Sequence, residues 1–240
     1  RPKGRPTMSD RDQFDAMIEQ TRQLFEAKSA ARDAAIAQSR TVIGHCANAI
    51  RAVHRREWDT ARERLETARQ AAEEMRQAVV EYPDLYHTGY TQDALKELGE
   101  AFATYALVRG ESLPLPDALN IEPSTYLNGL AEAASELRRQ ILDIIRKGHS
   151  DEAVRLLEEM DQIYDTLISF DFHDAITGGL RRRIDQLRGV LERTRGDLTN
   201  SLRQQRLQDA LARFEARVGQ NASDLPACAD ESSDEDDGDA

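Results

Sequence analysis

The chain has 240 residues, of which 32% are charged, a net charge of −12 and two cysteines. That length suffices for one helical domain of ordinary size. Charge interrupts every apolar run and the first residues lack an apolar core, so neither a membrane span nor a signal peptide is read and a cytoplasmic protein is expected.

Residues 1–8, "RPKGRPTM", read as a vector remnant ahead of Met8 and are set aside from the fold. A helical domain is expected over 9–218. From Asp10 to about Glu81 the pattern is helical almost without a break. Ile36, Ile43 and Ile50 recur at seven, with Cys46 and Val53 beside them. A second pattern then places Trp58, Leu65, Ala68, Ala72, Met75 and Val79 inward, Trp58 as core or subunit interface.

"EYPDLYHTGY" breaks the pattern with proline and glycine. A helix is predicted from about Thr91 to Val108, and the uncharged "AFATYALV" in its second half implies burial on both sides. His87 and Tyr90, just before it, suit packing of a helix entry, or stacking on a base. After the loop "RGESLPLPDALNIEPS", Ser124 offers an N-cap for a helix ending at "KGHS". Further helices follow at about 150–169 and 179–217. No run of alternating β-branched residues occurs, so the fold class is all-α.

Residues 219–240 are predicted to be an acidic disordered tail. Of the net charge of −12, seven negative charges sit in residues 229–240, which leaves −5 elsewhere. Cys46 and Cys228 show no C-x-x-C spacing and no histidine nearby, so neither a disulfide framework nor structural zinc is indicated. Only four of the 32 basic residues are lysine. Arginine's planar fork suits phosphate, although a GC-rich coding sequence produces the same bias.

Two acidic pairs stand out. Glu97 and Glu100 are three apart, Glu132 and Glu136 four apart, so each pair converges on its own helix. Periodicity leaves open whether they form a solvated face or meet. None of the five histidines follows a glutamate by three, which argues against the Glu-x-x-His di-iron pattern. Carboxylates without histidine suit a hard cation, Mg²⁺ or Mn²⁺.

"AIRAVHRREWDTA" (49–61), "KELGEAF" (96–102), "LNIEPSTYLNGLAEAASEL" (119–137), the Gly-His after that helix and "GLRRRIDQLRGVLERTRGDL" (179–198) resemble the translin family, across most of residues 25–200. The context of Tyr126, Leu127 and Gly129 is the most specific part. The resemblance implies a bundle of about six to seven helices that assembles into a closed oligomer, here a homo-octamer with nucleic acid inside. In the family's catalytic type, an endoribonuclease, the metal-binding carboxylates come as Glu-x-x-Glu and Asp-x-x-x-Glu. By motif these fall on Glu97, Glu100, Glu132 and Glu136. The first acidic pair is absent from the family's nucleic-acid-binding type, so this chain resembles the catalytic one. Glu132 stands where the family has Asp, a departure whose longer side chain is expected to shift or loosen the metal.

The resemblance also implies a basic RNA-facing surface around the first long helix, where Arg40, Arg51 and Arg55 share a flank and His54 lies on the apolar edge. Arg181, Arg182 and Arg183 give a further, weaker basic spot, since consecutive residues diverge around a helix. The expected function is thus metal-dependent cleavage of single-stranded RNA, with single-stranded DNA as a further ligand. The alternatives are a non-catalytic RNA- or DNA-binding scaffold and a helical assembly protein whose charge suits a saline cytoplasm.

Overall fold

The computed structural model describes residues 10–148 and 151–223, so the segment read as a vector remnant, Cys228 and the acidic run from 229 lie outside the described residues. Among the described residues six long helices carry the fold: α1 (Asp10–His54), α2 (Trp58–Ala78), α4 (Gly89–Arg109), α6 (Pro123–Ile145), α7 (Asp151–Leu167) and α9 (Leu180–Ser223). Three single turns, α3 (Pro83–Tyr86), α5 (Pro116–Leu119) and α8 (Asp174–Thr177), interrupt the connections. No strand occurs among the described residues.

The chain divides at Leu198. In the first unit α4 is central and packs against α1, α2 and α6, while α7 packs on α6. The uncharged second half of α4 is buried on every side, from Ala103 to Val108, as its composition predicts. Gly110, at φ 72°, ends this helix in a left-handed cap, and Glu111 N–H returns to the Ala106 carbonyl at 2.9 Å. Arg155 of α7 donates to the Leu107 and Val108 carbonyls at 2.9 and 3.1 Å, which satisfies the otherwise open helix end. Trp58 sits edge-on to Tyr105 at 6.0 Å with Arg109 over its ring at 5.1 Å, at the margin of the core.

α1 buries Ala35, Ser39, Val42, Cys46, Ala49, Ala52 and Val53, and no side chain earlier than Ala35. The isoleucine stripe read from the sequence is therefore displaced: Ile36 and Ile50 are half-buried and Ile43 is exposed, because small residues let α1 lie close to its neighbours. Ser124 does not cap α6; Glu122 holds that position without a side-chain bond and Pro123 opens the helix. In α9 the first unit takes Leu180, Ile184, Leu187, Leu191, Thr194 and Leu198, an alternation of four and three that keeps one seam buried. The second unit is the helical continuation from Thr199 to Ser223, five residues past the expected domain limit, with Leu207, Leu211, Phe214 and Val218 exposed.

The approach of α4 to α6 has one decisive point. A Cβ on Gly129 would lie 2.6 Å from the Lys96 carbonyl oxygen and 3.1 Å from the Glu100 amide nitrogen. Both are backbone atoms and cannot rotate away, so only glycine permits this crossing. At Gly99 the same test meets side-chain and backbone atoms no nearer than 3.6 Å, an ordinary contact. Gly129→Ala is expected to lower stability by about 1 to 3 kcal/mol, because overpacking outweighs the gain of about 1 kcal/mol in helix propensity. Gly99→Ala is expected to be neutral or slightly stabilising, since only propensity changes. Thermal unfolding of the two variants beside wild type checks this contrast.

Candidate metal centre and nucleic-acid surface

Glu97 and Glu100 lie one turn apart on α4, within the segment that meets Gly129, and Glu132 follows Gly129 by three residues on α6. The crossing therefore brings the two helices' acids together. Ligand oxygens of Glu97, Glu100 and Glu132 all fall within 4.8 Å of one another. Two ligands of one Mg²⁺ at about 2.1 Å are about 3 to 4 Å apart, so a small inward shift suffices for this donor set to fit a hard cation.

Three neighbours define the cluster's electrostatics. Lys96 donates to Glu97 Oε1 at 3.1 Å and to Glu132 Oε2, and its side chain is 11% exposed. Arg183 of α9 pairs with the other Glu132 oxygen, Oε1, at 3.0 Å. Cys46 of α1 faces the acids: burial first, then the charges of Glu97 and Glu100, push its thiol far above the usual range, so it stays protonated and inert. Burial opposes the charge on Lys96, but hydrogen bonds and attraction to Glu132 and Glu97 hold it above its ordinary value.

Glu100 is the strained member. It is 8% exposed, and Lys96 acts on it only through space. Burial, then the like charges of Glu97 and Glu132, push its carboxyl up to about 9, with Lys96 pulling back part of the shift. In the metal-free protein Glu100 therefore carries a proton at neutral pH.

Glu136 stands apart from this cluster. His54 Nε2 donates to its Oε2 at 3.0 Å, and that bond holds the carboxyl below its ordinary value despite burial. His54 Nδ1 lies 3.4 Å from the Gln140 side-chain oxygen, and the ring is 2% exposed. His54, grouped from the sequence with the RNA-facing arginines, is thus placed inside, where it orients Glu136. Arg40 and Arg51 are exposed on α1 and Arg55 is exposed just past its end, and Arg51 donates to Asn48 Oδ1 at 2.6 Å. A cleft of about 560 Å³ beside His54 is lined by Arg55, Arg56, Arg146 and Lys147, with Asp143 and Glu152.

Two of these contacts escape sequence reasoning. Lys96 and Arg183 both sit in segments quoted for other reasons, and their pairing with Glu132 depends on three helices meeting. His87 is exposed and lines a second cavity, of about 260 Å³, with Lys96 and Arg183, whereas the Tyr90 hydroxyl is buried without a hydrogen-bond partner.

The fold and sequence of AfC3PO match this chain, both alone and in its complex with duplex RNA: 33% identity, TM-score 0.71, covering 77% of this chain and 96% of AfC3PO. The chain belongs to the translin family. Apo-NeC3PO shares the fold at 20% identity and TM-score 0.65, over 82% of this chain and all of that one. An uncharacterized protein of Methanocaldococcus jannaschii, MJ0175, is 27% identical over 195 residues, 80% of this chain and 86% of that protein. No protein-family model matches the sequence. As a translin-family member the chain is all-α, and no helix among the described residues is long and apolar enough to cross a membrane.

The Glu100 shift has a direct consequence for stability. Its folded value lies above its unfolded one, so the folded state binds more protons between about pH 4.5 and 9, and stability falls as pH rises through that window. Glu100→Gln removes the penalty. Without divalent ions this variant is expected to exceed wild type by on the order of 5 kcal/mol at about pH 8 and by under about 1 kcal/mol at about pH 5. Denaturant unfolding in EDTA at the two pH values measures the difference.

Proposed function

We propose that the chain is a metal-dependent endoribonuclease that takes RNA into a closed homo-oligomer, an octamer by the family resemblance. The observation that carries this reading is the convergence of Glu97, Glu100 and Glu132 from two helices onto one point. The complex of AfC3PO with duplex RNA supports RNA as the ligand. It also widens the expected substrate from single strands to duplexes, with single-stranded DNA kept as a further ligand.

Glu97, Glu100 and Glu132 would hold Mg²⁺ or Mn²⁺. Such an ion supplies positive charge to a non-bridging phosphate oxygen and makes a neighbouring water more acidic. Glu136, kept ionised and turned by His54, is the carboxylate left to take the proton as the water oxygen bonds phosphorus and the bond to the leaving ribose oxygen breaks. Arg183 holds Glu132 in orientation. Arg40, Arg51 and Arg55, with the arginines and lysine of the cleft beside His54, would carry phosphates without reading sequence.

One observation favours a second reading, a non-catalytic RNA-binding scaffold: Lys96 and Arg183 already balance two of the carboxylates, as a purely structural ion network does. Cleavage of labelled single-stranded and duplex RNA, in Mg²⁺, Mn²⁺ or EDTA, separates the two. The expected result is metal-dependent cutting that drops by about 100-fold or more in Glu97→Gln and in Glu136→Gln, while RNA binding survives. Binding without cutting in every condition would establish the scaffold. Arg51→Glu with Arg55→Glu is expected to weaken RNA binding and flatten its salt dependence.

A further inference from the structure

We propose that Lys96 is an exchangeable internal cation: its ammonium occupies the place of the divalent ion in the metal-free protein and leaves Glu97 and Glu132 when the ion enters. This rests on the metal-centre reading above and adds to it the rule by which the centre loads.

The geometry carries the argument. An ion shared by Glu97 and Glu132 must lie between their oxygens, and that space is where Lys96 Nζ sits, 3.1 Å from Glu97 Oε1 and hydrogen-bonded to Glu132 Oε2. Glu132 has no idle oxygen, since Oε1 is taken by Arg183 at 3.0 Å. Arg183 comes from α9 and can stay, because it engages the oxygen turned away from Lys96. Oε2 becomes a ligand only when Lys96 lets go.

Charge counting agrees. Three carboxylates against Arg183 leave two negative charges, which one divalent cation balances. Lys96 held in addition would make the site positive, and in a half-buried setting two cations within a few ångströms repel strongly. The displaced side chain also has somewhere to go. Lys96 lines the cavity of about 260 Å³ that adjoins the cluster, and Asp93 on its wall offers another carboxylate. A lysine suits this role better than an arginine, because its ammonium is a compact charge on a flexible stem, without a planar fork to lock it onto two oxygens.

Exchange predicts opposite effects on two measurable quantities. Lys96→Met and Lys96→Gln, purified with Mg²⁺ to keep them folded, should bind Mn²⁺ about tenfold or more tightly than wild type when titrated by electron paramagnetic resonance. In EDTA both should melt below wild type, and added Mg²⁺ should raise their melting temperature more than it raises that of wild type. Lys96→Arg retains the charge and should not tighten binding. If wild type binds Mn²⁺ and the neutral variants bind equally or more weakly, Lys96 does not compete for the site and the exchange proposal falls while the metal centre stands. If neither wild type nor the neutral variants bind Mn²⁺, the metal-centre reading itself fails, and the proposal with it.

Discussion

The close crossing of α4 and α6 at Gly129 is the constraint on which the candidate centre depends. There the backbone of one helix rests against the backbone of the other, with a hydrogen in place of a side chain between Gly129 and the carbonyl of Lys96. Helices in ordinary contact stand 8 to 10 Å apart, and side chains one turn from such a crossing reach past one another. Here the short separation puts Lys96, Glu97 and Glu100 against Glu132. α4 is suited to this because it is buried by α1, α2 and α6 and its C-terminus is held by Arg155, so it has little freedom to relieve the crowding.

Crowded carboxylates in a poorly solvated place repel, and the molecule answers with cations drawn from different helices. Arg183 comes from α9 and Lys96 from α4 itself, while His54 of α1 adds a hydrogen bond to Glu136. Glu132 and Glu136 share a face of α6, yet they take different partners, because the rise of about 6 Å between them sets each beside a different neighbour. The result divides the four acids by electrostatic state. Glu136 is held as a carboxylate by His54, and Glu100 is held protonated by burial and by like charges. Two environments on neighbouring helices thus push chemically identical groups in opposite directions, the usual means by which a site assigns different duties to equal side chains.

Much of the scaffold was legible because local rules govern it. Six long helices follow from apolar periodicity and helix-forming composition, and the burial of α4 on every side follows from the uncharged run after Phe102. The misreadings were local as well. The isoleucine repeat predicts the buried stripe of α1, but the buried positions there are largely alanine, serine and cysteine, since a small side chain lets two helices approach and size outranks hydrophobicity at a tight contact. Ser124 had the chemistry of a cap, but Pro123 begins the helix one residue earlier, its fixed φ already matching the first turn.

The sequence by itself determined the all-α class, the helix order and, through the resemblance of its motifs, the translin family and the four acidic positions. Tertiary structure alone decided which of those acids meet, that Lys96 stands among them, that Arg183 reaches Glu132 from a helix about fifty residues later in the chain, and that His54 faces Glu136 rather than solvent. The physical reason is range. Helix formation and capping depend on residues within one or two turns, whereas the ionisation of Glu100 and Glu136 and the orientation of all four acids depend on which charges and how little water the packing of four helices leaves beside them.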